Sequence, residues 1–294
     1  MLAEAADGTI SGVSPSVYGP ADFEAISRIV YEGAGIVLPP TKSMLVYSRL
    51  APRVRETGSG TFTAYVERIR ADKAERHRAI EALTTNHTFF YRESHHFEHF
   101  AEAVRPGLVA QAAARQPVRL WSAGCSSGEE TWSLALTLLG PDRAEGQRVA
   151  RSDTLILATD INGKVLRKAE AARYPAADIE PVPAALRQPW TRTLGESAAK
   201  GGDAEIGEEA RALVRFRSLN LLGEWPMARP FDAIFCRNVM IYFDQPTKER
   251  LVSRLAAQLK PGGHLYIGHS ERATGPAEAV LEQVVPTIYR RREA

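Results

Sequence analysis

Residues 118–136 constrain the fold of this chain more than any other stretch. They read as a short apolar strand, a turn of small residues that carries Gly124 and Gly128, and then an amphipathic helix. An open α/β sheet uses this order to present backbone N–H groups to a nucleotide-like ligand, although a plain strand-to-helix turn fits the same pattern. Glu129 and Glu130 follow the last glycine and disfavour phosphate, so we expect a ligand with hydroxyl or ammonium groups. The turn also lacks the Gly-Lys-Ser/Thr ending of a P-loop.

Composition is that of an ordinary globular protein and disfavours two classes of partner. The formal net charge is +2 over 294 residues, which is too small to indicate nucleic acid by itself. No apolar stretch approaches the length of a membrane span, and no basic segment leads into an apolar run. The two cysteines, Cys125 and Cys236, do not imply a disulfide. We therefore expect a reduced, cytoplasmic protein that neither inserts into a membrane nor binds nucleic acid.

The N-terminal part of the chain is predicted to be helical. Residues 1–19 are rich in Ala, Gly and Ser and lack a sustained period, so we expect a flexible lead-in. Apolar residues then recur at helical spacing, as at Phe23 and Ile26, and Thr61 can cap a later helix. Four short helices within residues 20–85 suit a small helical domain.

A basic strip is expected on the second of these helices. Lys42, Arg49 and Arg53 fall on one side at i, i+7 and i+11. They suit either a solvated face or a docking strip for an acidic partner. Pro52 lies inside the helix and removes the hydrogen bond to the carbonyl of Ser48, so we expect a kink there.

Residues 86–116 are predicted to be a linker and lid between the helical domain and the next one. The span begins with a polar and aromatic run that has no clean period. A packed hinge explains this run, and a second interpretation places Asn86, Thr88 and Arg92 around a pocket that the run covers. Two histidines farther along are spaced i, i+4, but nothing else nearby indicates a metal site, and we expect none.

From residue 117 to residue 294 strands and helices alternate, which predicts a doubly wound sheet. Prolines and a Gly-Gly-Asp turn interrupt the alternation at about residues 174–212, so we expect a small inserted β-subdomain there. Farther on, a helix at about residues 247–259 is predicted to stop at the Lys-Pro-Gly-Gly run of residues 260–263.

Polar side chains follow two strands of the predicted sheet. Asp160 ends an apolar run and suits the hydroxyls of a ribose, although a turn or cap role explains it equally well. Arg237, Asn238 and Tyr242 follow a second apolar run. Ligands of open α/β sheets bind beyond the carboxyl ends of the strands, so these residues can share one crevice with Gly124. The alternative roles are an ion pair for Arg237, a helix cap for Asn238 and a packed aromatic side chain for Tyr242.

Six motifs follow one another along most of the chain: Asn86-x-Thr88-x-Phe90-Tyr91-Arg92, Ser126-Ser127-Gly128-Glu129-Glu130, Ala158-Thr159-Asp160-Ile161, Asn220-Leu221-Leu222, residues 231–243, and Lys260-Pro261-Gly262-Gly263. Together they resemble the chemotaxis receptor methyltransferases of the CheR family. The resemblance implies a Rossmann-like class I methyltransferase domain of the α/β class, preceded by a helical domain and carrying a small β-subdomain.

The resemblance also implies a cofactor, S-adenosyl-L-methionine, whose product is S-adenosyl-L-homocysteine. Carried over position by position, it implies that ten residues line the cofactor site: Asn86, Thr88, Arg92, Gly124, Glu129, Asp160, Asn220, Leu221, Arg237 and Asn238. Arg92 and Tyr242 would lie nearest the transferred methyl and act as catalytic residues. The basic helix with Lys42, Arg49 and Arg53 resembles the receptor-facing helix of the family.

The resemblance implies methyl transfer to glutamate side chains of chemoreceptor cytoplasmic domains. A glutamate carboxylate is ionised at neutral pH, its ordinary pKa being about 4.3, and needs no general base to attack a sulfonium methyl. We expect alignment and desolvation to dominate catalysis. A methyltransferase with another protein or a small molecule as substrate, and a non-catalytic cofactor-sensing adaptor, are the alternatives.

Overall fold

The computed structural model describes residues 13–14, 16–195 and 201–293. These residues form two compact units. The first comprises the described residues up to Thr85 together with Tyr242–Thr247, and the second comprises the rest. The lead-in predicted at residues 1–19 lies largely outside the described residues, as does part of the predicted insertion.

The first unit is helical, as the apolar spacing predicts. Its elements are α1 (Pro20–Ala34), a 3-10 turn (Pro40–Lys42), α2 (Ser43–Glu56), α3 (Phe62–Ala71) and α4 (Lys73–Leu83). Helix α1 ends at Gly35, which has φ 69° and donates its N–H to the carbonyl of Tyr31. Thr61 caps α3 by accepting the N–H of Ala64 at 3.2 Å, which confirms the predicted cap.

A buried carboxylate holds three helices of this unit together. Glu75 on α4 has a side chain that is 2 % exposed, and it accepts hydrogen bonds from Arg53 of α2 at 2.5 and 3.0 Å. The hydroxyl of Tyr65 on α3 donates to the same carboxylate at 2.8 Å. A buried charge is tolerated only when it is paired and hydrogen-bonded, and these partners supply both conditions.

Two members of the predicted basic strip are therefore not free cations. Arg53 pairs with Glu75, and Arg49 donates to the carbonyls of Leu83 and Thr84 at 3.1 and 2.7 Å. Lys42 is exposed. The helix α2 runs through Pro52 to Glu56 without interruption. The strip remains a prediction as a docking face, but only Lys42 among its three residues presents its charge without these internal bonds.

From residue 86 onward helices and strands alternate. The helices are α5 (His95–His99), a π-helical turn (Phe100–Val104), α6 (Arg105–Ala113), α7 (Glu129–Leu139), α8 (Arg143–Ala150), α9 (Gly163–Ala171), α10 (Ala184–Trp190), α11 (Glu208–Leu213) and α12 (Gln245–Ala257), with 3-10 turns at Met240–Tyr242 and Gly275–Ala279. The strands are β1 (Val118–Ala123), β2 (Thr154–Asp160), β3 (Arg173–Pro175), β4 (Thr191–Leu194), β5 (Asp203–Ile206), β6 (Val214–Ser218), β7 (Phe231–Cys236), β8 (Leu259–Ile267), β9 (Leu281–Val285) and β10 (Ile288–Arg291).

Seven of these strands form one sheet in the order β6-β2-β1-β7-β8-β10-β9. The five from β6 to β8 are parallel, and β10 is antiparallel to both of its neighbours. The strand β7 is buried along its whole length and β1 along nearly all of it, as expected when helices cover both faces of a parallel sheet. The predicted doubly wound fold is confirmed.

The prediction was wrong for the Lys-Pro-Gly-Gly run. Helix α12 ends at Ala257, and β8 already begins at Leu259. Between the paired positions of β7 and β8, Asp232 alone lies opposite the four residues 260–263, so the run forms a bulge inside the ladder. Lys260 stays attached because its Nζ contacts Asp232 Oδ1 at 2.6 Å. Proline and glycine signal a turn and a bulge alike, which is why the sequence pattern was misread.

The predicted insertion contains a separate antiparallel sheet in the order β3-β5-β4. Its outer strands β3 and β4 both pair with β5, and β4 and β5 lie within the β-subdomain expected at about residues 174–212. Neither β3 nor the edge strand β9 of the large sheet was predicted. Among the described helices, none combines the length and the apolar character that crossing a bilayer requires.

Candidate active site

The order of the large sheet reverses between β1 and β7, which is the switch point where open α/β sheets bind their ligands. Gly124 directly follows β1, Arg237 directly follows β7, and Asp160 is the last residue of β2. The fold therefore brings these three predicted residues to one edge of the sheet. All ten predicted cofactor residues belong to the second compact unit.

The two glycines of the turn after β1 are required by close packing as well as by backbone conformation. Gly124 has φ 83°, and a Cβ there would lie 2.4 Å from Val239. Gly128 has φ 96° and caps α7, and a Cβ there would lie 2.7 Å from the Cβ of Ala169 and 2.8 Å from the hydroxyl of Tyr174. Only glycine combines positive φ with such contacts at low cost. The turn thereby holds the N-terminus of α7 at the switch point.

Asp160 fixes the turn to the end of β2. Its Oδ2 accepts the N–H of Ser126 at 2.8 Å, and its Oδ1 accepts the N–H of Asn162 at 2.9 Å. The N-cap of α9 is Asn162, which accepts the N–H of Lys164 at 2.9 Å, so Asp160 is not the cap. The hydroxyl of Ser126 also donates to the carbonyl of Asn86 at 3.0 Å. Asn86, the glycine turn and Asp160 are therefore directly connected.

Arg237 is one of the most buried charges at this edge. Its side chain is 1 % exposed and lies 3.2 Å from Glu130 Oε2 and 3.3 Å from Glu93 Oε2. It also donates to the carbonyl of Arg92, and its guanidinium lies 5.4 Å from the ring centroid of Phe97. The ion-pair alternative for Arg237 is thus present in the structure, and it ties β7 to the segment that contains Arg92.

The two glutamates after the glycine turn have different surroundings. Glu129 accepts the hydroxyl of Ser127 at 2.7 Å and lies 3.6 Å from Lys168. Glu130 accepts the hydroxyl of Ser122 at 2.8 Å and pairs with Arg237. Burial raises the pKa of Glu130, and the charge of Arg237 only partly opposes this effect.

Arg92 and Thr88 lie in the same half-buried segment. The Nη1 of Arg92 donates to the carbonyl of His87 at 3.0 Å, and its guanidinium lies 5.8 Å from the ring centroid of Phe89, which is itself exposed. Thr88 is half-buried. The packed-hinge interpretation therefore holds for the fully buried Phe90 and not for Phe89.

Asn220 and Leu221 follow β6 and form a compact turn. The side-chain oxygen of Asn220 accepts the N–H of Leu222 at 3.0 Å. The carbonyl of Leu221 accepts from Arg254 at 2.9 Å and from Trp225 Nε1 at 3.2 Å. The preceding residue, Leu219, donates its N–H to the carbonyl of Asp160 at 3.0 Å, which places this turn beside the end of β2.

Asn238 is held in a left-handed conformation, with φ 59°, by a residue that the sequence interpretation missed. The buried Glu271 accepts the N–H groups of Asn238, Gly268 and Met240 at 3.1, 2.7 and 2.7 Å. Gly268 is needed because a Cβ there would lie 2.4 Å from Asn238 Nδ2. Glu271 follows β8, so its position after a strand end was the signal that could have identified it.

Tyr242 belongs to the first compact unit. Its carbonyl accepts the N–H of Val37 at 2.9 Å. Close by in the sequence, Asp244 accepts the hydroxyl of Tyr31 at 2.7 Å. The role of Tyr242 near a transferred methyl group remains a prediction.

The chemistry of the sheet edge fits S-adenosylmethionine. This cofactor carries ribose hydroxyls, an ammonium group and a carboxylate, and the edge offers Asp160 and Glu129 as acceptors and Arg92 and Arg237 as cations. The Nε of Arg237 is buried and has no hydrogen-bond partner among the described residues, which is unusual unless a ligand or water supplies one. Cys125 and Cys236 are free and buried, and burial raises the pKa of both thiols. The described residues contain no cluster of His, Cys, Asp or Glu that could hold a metal ion.

The strand order, the glycine turn after β1 and the acid at the end of β2 define a Rossmann-like class I methyltransferase domain. Residues 86–288 match the family model "CheR methyltransferase, SAM binding domain", and residues 21–84 match "CheR methyltransferase, all-alpha domain". The chain belongs to the CheR methyltransferase family, and its cofactor is S-adenosylmethionine.

Curated relatives align over nearly the whole chain. A probable chemotaxis protein methyltransferase of Rhizobium etli is 42% identical over 89% of this chain and 96% of its own length. Chemotaxis protein methyltransferase 2 of Pseudomonas aeruginosa is 40% identical over 92% of this chain and 93% of its own. The chemotaxis protein methyltransferase of Klebsiella aerogenes is 42% identical over 85% of this chain and 83% of its own. The chain is therefore a cofactor-dependent methyltransferase of chemotaxis.

Proposed function

We propose that this protein transfers the methyl group of S-adenosylmethionine to glutamate side chains of chemoreceptor cytoplasmic domains. The proposal rests on one observation: hydrogen bonds connect Asn86, the glycine turn and Asp160 at the switch point of the sheet. The product would be a glutamyl methyl ester. The names of the curated relatives, which are chemotaxis protein methyltransferases, support the setting.

The cofactor supplies an electrophilic methyl group on a positively charged sulfur. The acceptor carboxylate is already ionised at neutral pH, so no residue of this chain needs to remove a proton. One C–O bond forms as the C–S bond breaks, and the electron pair of the broken bond returns to sulfur. Two opposite charges are neutralised in this step, and a water-poor site favours such a reaction.

The residues of this chain act by binding and alignment. We assign Asp160 to the ribose hydroxyls because a carboxylate at the end of the second strand can accept two of them. Asn86, Thr88, Gly124, Glu129, Asn220, Leu221, Arg237 and Asn238 are proposed to line the rest of the cofactor. Arg92 and Tyr242 are proposed to hold the acceptor carboxylate or the methionyl end of the cofactor during transfer.

Labelled methyl transfer to receptor-containing membranes tests the reaction. We expect incorporation that is lost on mild base treatment, because a glutamyl methyl ester hydrolyses whereas a methylated amine does not. Base-stable label would favour the alternative, a methyltransferase with another substrate. Binding of cofactor without any transfer would favour a sensing adaptor.

The Asp160→Ala variant tests the ribose assignment separately. Loss of a hydrogen bond to a charged group costs about 1.5–3 kcal/mol, so we expect binding of S-adenosylhomocysteine to weaken by roughly 10- to 100-fold. Calorimetric titration measures this change. Unchanged affinity would reject the role of Asp160.

Docking of the receptor is proposed on the first compact unit. Lys42 is exposed, whereas the guanidinium groups of Arg49 and Arg53 already have internal partners. We therefore expect Lys42→Ala to raise the KM for receptor without destabilising the protein. Arg53→Ala should mainly lower the free energy of unfolding, because it leaves Glu75 without its closest cation.

A further inference from the structure

Glu93 lies at the centre of the contacts that join three parts of the candidate site, although no motif assigns it a role. It directly follows Arg92 and has φ 56°, a conformation that is uncommon outside glycine. Its side chain is 12 % exposed. Such strain persists where the surrounding contacts determine the conformation, and it occurs often at functional sites.

The carboxylate of Glu93 contacts residues after both β7 and β8. Its Oε1 accepts from Asn238 Nδ2 at 3.2 Å and lies 2.9 Å from His269 Nδ1. Its Oε2 lies 3.3 Å from Arg237 and 3.6 Å from His96 Nδ1. The side chain of Glu93 thus contacts both Arg237 and Asn238. Arg237 also donates a hydrogen bond to the carbonyl of Arg92, the residue directly before Glu93.

The charge of Glu93 matters because Arg237 is buried. Burial would raise the pKa of Glu93, but hydrogen bonds from His269 and Asn238 and the charge of Arg237 outweigh it and lower that pKa to about 2. The other carboxylate beside Arg237, Glu130, has its pKa raised. The contacts of Glu93 therefore favour its ionised form, whose negative charge lies 3.3 Å from the buried Arg237.

We propose that Glu93 is a positioning residue for the cofactor: its carboxylate holds Arg237, Asn238 and the Arg92 segment in the orientation that binds S-adenosylmethionine. This inference rests on the proposed function for the roles of those three residues. Glu93 itself is not assigned a contact with the cofactor. Its effect should therefore appear in cofactor affinity, through the residues that it orients, rather than in fold stability alone.

Three variants test this role through binding of S-adenosylhomocysteine, measured by calorimetric titration beside thermal unfolding. Glu93→Gln keeps the shape and removes the charge, and we expect affinity to fall about tenfold or more. Glu93→Asp keeps the charge and should retain part of the affinity. Glu98→Gln removes an exposed carboxylate five residues along the chain and should bind as the wild type does.

A fourth variant covers the case in which Glu93→Gln does not fold. His269 is largely exposed, and His269→Ala removes one partner of Glu93 without opening the core. We expect affinity to fall about threefold, since His269 is exposed and an exposed partner contributes less than a buried one. Wild-type affinity in both Glu93→Gln and His269→Ala would overturn the proposal, as would a lower melting temperature with unchanged affinity.

These measurements need no methyl acceptor. If the wild-type protein binds S-adenosylhomocysteine but does not methylate receptor glutamates, the proposed function fails while the role of Glu93 is still tested. If the variants bind normally and the wild-type protein methylates receptors, the inference about Glu93 fails alone.

Discussion

The substitution Gly128→Ala tests whether the glycine turn is held by close packing. Gly128 has φ 96°, and a Cβ there would lie 2.7 Å from the Cβ of Ala169 and 3.1 Å from its Cα. The hydroxyl of Tyr174 would be 2.8 Å away, and that hydroxyl is already fixed by its bond to the carbonyl of Ser127 at 2.7 Å. Neither neighbour is the free end of a flexible side chain. The new methyl group must therefore displace the turn or helix α9.

Two costs add at this position. A left-handed conformation costs a non-glycine residue about 1–2 kcal/mol, and overpacking a tight site costs about 1–3 kcal/mol. The lower entropy of the unfolded alanine chain offsets roughly 0.4–1 kcal/mol. We expect a net loss of about 3 kcal/mol in the free energy of unfolding. Displacement of the turn should also weaken binding of S-adenosylhomocysteine.

Gly262→Ala is the matched control in the same unit. Gly262 also has positive φ, 75°, but a Cβ there would meet only side-chain atoms at 3.5 Å or more, which is ordinary contact. Only the conformational costs apply, so we expect a loss of about 1 kcal/mol. The difference between the two variants isolates the packing cost.

Urea unfolding followed by tryptophan fluorescence measures both variants. Trp132 is a suitable reporter because it is buried and its Nε1 donates to the carbonyl of Ala169 at 3.2 Å. If Gly128→Ala destabilises the protein no more than Gly262→Ala does, the close-packing argument for the turn is refuted.

Three further outcomes are expected. Tyr242→Phe should lower turnover while leaving affinity for S-adenosylhomocysteine nearly unchanged, and a large loss of affinity would reject its place near the methyl. Glu75→Gln should lower the free energy of unfolding by about 3 kcal/mol in urea titrations, because it breaks a buried ion pair. The control Glu56→Gln, whose side chain is 61 % exposed, should lower it by less than about 1 kcal/mol. Burial, followed by nearby positive charge, lowers the pKa of His96 to about 3 in the folded protein. Folding therefore favours the neutral imidazole, and the free energy of unfolding falls as the pH drops below about 6.5, the ordinary pKa of histidine. The expected loss is about 2 kcal/mol at about pH 5. His96→Gln should flatten this slope in pH-dependent urea unfolding, and a slope as steep as that of the wild type would reject this role of His96.

The sequence pattern was sufficient where one interaction decides the structure. The strands at residues 154–160 and 231–236 end where the apolar runs indicated, at Asp160 and just before Arg237, because a strand buried on both faces is apolar along most of its length. The switch point followed from these strands, since residues after parallel strands meet at one edge. The bulge at residues 260–263 was missed because Pro and Gly describe the local backbone and not its pairing partner.

The partners of buried charges could not be predicted, because they come from distant parts of the chain. Arg53 forms an ion pair with Glu75 on another helix, so the predicted basic strip is partly neutralised. Glu93 forms an ion pair with Arg237, which is far away in the sequence, and no helix or strand periodicity predicts this contact. The sequence predicted Glu129 as a site residue and did not predict its neighbour Glu130. Only the packing of the helix determines which of the two adjacent carboxylates faces Arg237.

Mass spectrometry of a chemoreceptor cytoplasmic domain tests the central claim most directly. The receptor fragment is incubated with the protein and S-adenosylmethionine, digested, and its peptides are mapped for added methyl groups. We predict methyl esters on glutamate side chains that are absent without the protein and are removed by mild base. Methylation confined to lysine or to other side chains, or no methylation by a protein that binds the cofactor, would contradict the account.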